Sequence, residues 1–146
     1  DRSWQGGPAV QNRIDHQQLK QWTSCCLESH AVFCDNAPYK HTIPDLLVID
    51  CKSRDIIRAP LDAEYVALSY LWGPASENDK VHTNSLREKQ APLTVEDAML
   101  VVLKLGLQYL WVDRYCIDQS DSDSKHYMIS QMDRIYMSAK LAIIAA

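Results

Sequence analysis

Between residues 65 and 146 the chain alternates short, nearly unbroken apolar runs with longer segments of helical periodicity. That alternation restricts the fold more than any other feature. Tyr65-Val66-Ala67-Leu68-Ser69-Tyr70 is a run with little polar interruption, ended by Gly73 and Pro74. Thr94 opens the clearest helical segment. Thr94-x-x-Asp97 has the form of a capping box, Met99, Val102 and Leu105 keep one apolar face, and Gly106 supplies the stop. Tyr109 to Asp113 is the second apolar run. After a polar loop from Arg114 to about Ser124, Met128, Met132, Ile135, Tyr136 and Ala139 recur at helical spacing, and Leu141 to Ala146 is the third run. Strands apolar on both sides belong to a sheet covered on both faces. Strand, helix, strand, helix, strand is the order of parallel β-α-β units, with right-handed crossovers. The expected fold class is therefore α/β, a small parallel sheet flanked by helices.

The first 64 residues read as an N-terminal helix and β-hairpin extension packed on a core domain of residues 65–146. Residues 1–11 are a polar, Gly- and Pro-bearing lead-in. Asp15 can cap a helix, Gln18 sits at the capping-box position, and Ile14 and Leu19 have staple spacing. Leu19, Trp22, Cys26 and Phe33 continue an apolar stripe, which puts Trp22 in the core with Trp111, Met128 and Met132. Leu46 to Asp50, a polar turn at Lys52 to Asp55, and Ile56 to Arg58 predict a hairpin. Asn84 through Gln90 is a candidate short helix. The closing apolar run has no helix after it, so the core domain is expected to be truncated at its C-terminus. A chain that opens on Asp1 without a signal-peptide pattern reads as a piece of something longer.

Bulk properties exclude several classes. A chain of 146 residues with 47% hydrophobic content suits one globular domain. No apolar run approaches the ~20 residues of a membrane span. A net charge of -4, with Lys80, Arg87, Lys89, Lys104 and Arg114 scattered, argues against a nucleic-acid or anionic-membrane binder. The five cysteines are odd in number and two are adjacent, which favours reduced thiols in a cytoplasmic protein over a disulfide framework.

Four sequence blocks carry a family resemblance. They are Tyr65-Val66-Ala67-Leu68-Ser69-Tyr70-Leu71-Trp72-Gly73, then Pro92-Leu93-Thr94-Val95-Glu96-Asp97-Ala98, then Leu107 through Gln119 with Trp111-Val112-Asp113-Arg114-Tyr115-Cys116-Ile117-Asp118 at its centre, and finally Met132 through Ala139 with the run after it. In this order they resemble the fungal HET (heterokaryon-incompatibility) domain. Ser124 and Lys125 stand where that family often has an acidic residue and a Trp. The resemblance implies a module of filamentous fungi that acts in triggered cell death, by self-association or with another incompatibility protein. The family is also distantly similar to TIR domains, which have a flavodoxin-like fold, self-assemble and in some cases cleave NAD. That similarity implies NAD as a possible substrate, with the key Glu on a helix after the third parallel strand, beyond Ala146.

The chain has no G-x-G-x-x-G and no Walker A motif. Open α/β sheets bind ligands at the carboxyl ends of their strands, near the switch point. Ser69, Tyr70, Trp72 and Gly73 follow the first apolar run, and Asp113, Arg114, Cys116 and Gln119 follow the second, so these eight are the ligand-binding candidates. Trp72 offers a stacking face, and Ser69 and Asp113 offer hydrogen bonds to hydroxyls; the same residues could equally brace the strand ends. Cys116 could be a nucleophile with His82 or His126 as base, or a packed small side chain. Cys26, His30 and Cys34 recur every four residues and, with Cys51, are zinc candidates, a packed helix face being the alternative. Glu96 and Asp97 read as first-turn carboxylates favoured by the helix dipole.

Overall fold

The computed structural model describes residues 13–31, 43–73, 84–87 and 91–145. In chain order its elements are α1 (His16–Ser29), β1 (Leu47–Asp50), β2 (Ile56–Arg58), β3 (Tyr65–Tyr70), α2 (Leu93–Lys104), β4 (Tyr109–Val112), the single turn α3 (Asp113–Cys116), α4 (Ser122–Ser130), α5 (Met132–Ser138) and β5 (Leu141–Ala145). The strands form one sheet in the order β2-β1-β4-β3-β5. The three apolar runs make its parallel heart. Tyr65 to Leu68 pair with Tyr109 to Val112, and Val66 to Tyr70 pair with Leu141 to Ala145. The hairpin joins the same sheet, with β1 antiparallel to both β4 and β2. The result is a mixed α/β sheet in which the first parallel strand, β3, lies between the second and the third.

This order sets the faces. The chain leaves β3 for β4 on one side and returns past β3 to β5 on the other. Two right-handed crossovers in opposite directions place their helices on opposite faces. Tyr65 Oη donates to the Ile135 carbonyl at 2.5 Å, and the Trp111 and Tyr136 rings meet edge to face at 5.5 Å. α5 therefore covers the face carrying Tyr65, Ala67 and Trp111. The buried side of α2, Val95, Ala98, Met99 and Val102, packs against β3 and β4 on the other face. The strand residues between the two layers, Val66 to Leu68 and Leu110 to Val112, are fully buried.

Several local readings change. Asp15 caps α1 as expected, its carboxylate accepting from the Gln17 and Gln18 amides at 3.0 Å. Yet α1 buries none of its residues, and Trp22 is 55% exposed rather than in the core. Phe33 and Cys34, which would extend that stripe, lie outside the described residues. α2 begins at Leu93 after Pro92, with no side-chain cap, so Thr94 stands inside the first turn instead of capping it. Proline at this point fixes φ at -50° and stops the helix from reaching further back. Gly106 ends α2 at φ +82°, where a Cβ would be strained. The single helix expected before β5 is two, α4 and α5, parted at Gln131. Asn84 to Arg87 is not helical: Ser85 bridges to Asp55, while residues 88–90 lie outside the described residues.

Candidate functional site

The carboxyl ends of β3 and β4 lie side by side because the two strands are parallel and in register. β3 runs out into Leu71, Trp72 and Gly73. β4 turns at once into α3, whose first residue is Asp113. Asp113 Oδ1 accepts from the backbone amide of Arg114 at 2.7 Å and from the indole Nε1 of Trp72 at 3.0 Å. One carboxylate thus links the two strand ends. The Arg114 guanidinium lies over the Trp72 ring, 5.6 Å from its centroid, a cation–π distance. Gln119 Nε2 donates to the Asp113 carbonyl at 3.4 Å, folding the following loop back on the same residue. Trp72 remains 43% exposed, so its indole meets solvent beside a cation and a carboxylate.

Burial raises the proton affinity of Asp113, opposed by the Arg114 amide, the Trp72 indole and the Arg114 charge. Tyr136, on α5, stands over the end of β3. Its hydroxyl reaches the Leu68 carbonyl at 3.5 Å, and burial pushes its proton affinity up, with a hydrogen bond to Ser69 opposing. Tyr136 is a site neighbour that sequence reading assigned only to a helix inner face. The arrangement provides a ring for stacking, a guanidinium for an anion, and a half-buried carboxyl that hydrogen-bonds neighbouring donors.

The eight candidate residues are not all gathered. Trp72, Asp113, Arg114 and Gln119 form one cluster. Ser69 is exposed on the α5 face beside Tyr136, and Tyr70 is half-buried on the α2 face. Gly73 has open space around it. Cys116 is buried beneath the cluster. Its thiol accepts from the Val112 amide at 3.4 Å and points at the Leu110 carbonyl at 4.0 Å. Burial pushes this thiol up to about 12. His126 is exposed and near Ser122 Oγ at 3.5 Å, and His82 lies outside the described residues. A buried thiol so hard to ionise, beneath the carboxyl end of β4, fits the packed reading of Cys116 better than the nucleophile one.

The described zinc candidates lie apart, on α1 and on the hairpin. Cys26 is exposed on α1, His30 ends that helix, and Cys34 lies outside the described residues. Cys51 is buried at the end of the hairpin strand, where burial pushes its thiol up to about 12. Among the described residues no group of three His, Cys, Asp or Glu side chains could hold a metal ion.

One polar constellation escaped the sequence reading. Arg54, in the hairpin turn at φ +65°, donates Nη1 to Glu96 Oε2 at 2.8 Å, Nη2 to the other carboxylate oxygen, and Nε to the Leu86 carbonyl at 3.0 Å. Glu96 Oε1 also accepts from the Ala91 amide at 3.0 Å. Glu96 is therefore more than a helix-dipole carboxylate. It pins the start of α2 to the hairpin, 42 residues back in the chain. No local pattern announces a pair so far apart.

The class that the fold defines is a mixed α/β domain, with Trp72, Asp113 and Arg114 brought together at the carboxyl ends of its parallel strands. The model of the family described as "Heterokaryon incompatibility protein (HET)" matches residues 65–146, from the first residue of β3 onward. The chain belongs to the HET heterokaryon-incompatibility family. It is similar to the Neurospora crassa protein "Heterokaryon incompatibility protein 6, OR allele", 29% identical over 119 residues, an alignment covering 68% of this chain and 18% of that protein. The chain thus spans under a fifth of the length of the curated relative it matches. No solved structure matches it.

Proposed function

We propose that this chain is the effector module of a fungal cell-death response, working in the cytoplasm by self-association or by pairing with another incompatibility protein. Family membership supports the biological setting. The observation that supports association is the apolar surface left outside. Ile14, Trp22, Leu61, Leu71, Leu93 and Ile144 are each more than half exposed. Apolar side chains mark interaction surfaces where they adjoin, and α1, which buries none of its residues, carries both Trp22 and Leu27 at the surface. Among the described residues no helix is long and apolar enough to cross a membrane. The test fuses the chain to a chemically induced dimerisation tag in a filamentous fungus and scores hyphal death. Death on addition of the dimeriser, and not before, is expected. Viable hyphae after forced dimerisation would refute the effector reading.

A second reading has its own support. The Trp72–Asp113–Arg114 cluster sits at the carboxyl ends of parallel strands, where open α/β sheets take nucleotides. By the distant TIR likeness, the ligand would be NAD and the reaction cleavage of its nicotinamide–ribose bond, with the catalytic Glu outside this chain. Residues 1–146 alone are then expected to bind NAD without consuming it. NAD turnover by this chain, followed by chromatography, would refute that placement of the Glu.

A further inference from the structure

The β3–β4 ladder ends at Leu68 opposite Val112. The next residues, Ser69 and Asp113, stand side by side where the strands part, about 5 Å from each other, one strand spacing. Both belong to the face that α5 covers. Ser69 follows Ala67 by two residues in β3, and Asp113 follows Trp111 by two, with Val112 between them still extended at φ -136° and ψ 120°. Tyr136 reaches over the pair from α5, its ring edge to face with Trp111 at 5.5 Å. Its hydroxyl hydrogen-bonds with Ser69, and it lies near enough to Asp113 to feel that carboxylate's charge.

Donors and acceptors in this group do not balance. The Tyr136 hydroxyl donates to the Leu68 carbonyl and so accepts from Ser69, which commits the one hydroxyl proton of Ser69 and leaves its oxygen an acceptor. Asp113 Oδ1 already takes two donors, the Arg114 amide and the Trp72 indole. Among the described residues Asp113 Oδ2 takes none. Ser69 is exposed and Asp113 half-buried, so two acceptors stand one strand spacing apart at the rim of the sheet. A group that fits between them brings two donors, and the carboxylate repels an anion from that position. The half-exposed Trp72 ring adjoins on the Oδ1 side, with the Arg114 guanidinium over it.

We infer that Ser69 and Asp113 form the ribose position of the strand-end site: neighbouring hydroxyls of one sugar donate to Ser69 Oγ and Asp113 Oδ2, so the ligand is a nucleotide whose 2′ and 3′ hydroxyls are both free. This rests on the nucleotide reading above and names the part of the ligand that the two strands hold. The span suits a vicinal diol. Its two hydroxyls are joined by one carbon–carbon bond, and each reaches an acceptor about 2.7 Å away, which together bridge the ~5 Å between the strands. The remaining parts of a nucleotide have partners on the same side, the Trp72 ring for the base and the Arg114 guanidinium for a phosphate. A ligand hydroxyl on Asp113 Oδ2 also removes the cost of a half-buried carboxylate oxygen left without a donor. Discrimination between a sugar with both hydroxyls and one lacking either is the consequence.

The test is calorimetric titration of this chain with AMP and with nicotinamide mononucleotide, each against its 2′-deoxy and 3′-deoxy forms, from about 10 µM to about 10 mM, the span that brackets a weak complex. The nucleotide that binds is expected to weaken at least about tenfold on loss of the hydroxyl held by Asp113, and about threefold on loss of the one held by Ser69, because bonds to a charged group are the stronger. Asp113→Asn keeps an acceptor for Trp72 and is expected to cut the larger preference below about threefold. Ser69→Ala alters an exposed side chain and is expected to abolish the smaller preference alone. Far-UV dichroism checks the fold of each variant, and the comparison of sugars on the wild-type chain needs neither. Equal affinity for a nucleotide and both its deoxy forms overturns the ribose assignment and leaves the nucleotide reading standing. Preferences unchanged in both variants overturn the assignment to Ser69 and Asp113. No binding by any of the nucleotides overturns the assignment and the nucleotide reading together.

Discussion

Loss of the Arg54–Glu96 pair should loosen the hairpin from α2, and its cost can be worked from the contacts. The pair is bidentate, and the two side chains are 31% and 26% exposed. Hydrogen bonds to charged groups contribute about 1.5–3 kcal/mol when shielded. Screening at this exposure reduces that to about 1–2 kcal/mol. Glu96→Ala also strips the Ala91 amide of its acceptor. For a chain of this size, about 2–4 °C of Tm per kcal/mol gives an expected fall of about 2–8 °C at pH 7. Arg54→Ala should cost a similar amount, and the double variant little more than either, with a coupling near 1 kcal/mol. The pH dependence has a definite sign. The Arg54 hydrogen bond holds the Glu96 carboxyl below its ordinary value, with the Ala91 amide adding to it. A depressed carboxyl stabilises above its unfolded pKa, and that contribution fades as pH falls through the lower folded value. The Tm gap between wild type and Glu96→Ala should therefore be full at neutral pH and narrow below about pH 4. Additive single losses with no coupling, or a gap unchanged down to pH 2, would refute the clamp.

Other outcomes follow from the same geometry. Asp113 has its proton affinity raised by burial, so its ionised form costs stability as pH rises through the folded value. Asp113→Asn, which keeps an acceptor for Trp72, should melt higher than wild type at pH 7 and lose that advantage on acidification, read by calorimetry. Ile135→Ala removes a fully buried side chain where α5 meets the sheet and should cost about 3 kcal/mol in denaturant unfolding. Trp22→Ser should shift stability by no more than about 0.5 kcal/mol, because α1 buries nothing. In alkylation followed by mass spectrometry, exposed Cys25 and Cys26 should label in the native protein, while Cys51 and Cys116 should label only after unfolding.

The parallel heart of the fold was legible because its information is local. Strands buried on both faces must be apolar throughout, and Tyr65 to Tyr70, Tyr109 to Val112 and Leu141 to Ala145 are the runs that appear in the sheet. The hairpin was legible as a hairpin, but its docking on β4 was not. Ile49 opposite Leu110 is a pairing across 61 residues, and nothing within either strand names its neighbour. The break at Gln131 was hidden because the apolar spacing continues across it: Met128, Ile135 and Ala139 are all buried despite the change of helix. Trp22 failed in the opposite way. A periodic stripe shows that a helix has an apolar side, not that anything in the chain covers it.

The candidate site divides along the same line. That the residues after β3 and β4 would lie side by side followed from topology alone, since parallel strands bring their carboxyl ends together. Which side chains meet there depended on direction, which sequence does not give. Asp113 opens α3 and so reaches sideways to Trp72, whereas Cys116, three residues on in the same turn, is carried inward beneath β4. One turn of helix separates an exposed cluster from a buried thiol. The Arg114 guanidinium is held against the Trp72 indole by this turn, so an aromatic ligand would have to use the other indole face or displace the cation. Ligand recognition and bracing of the strand ends would therefore draw on the same Asp113–Trp72 bond. Trp72→Phe separates them: it keeps a stacking ring and removes the indole donor, so binding that survives while Tm falls would assign the bond to bracing and the ring to the ligand.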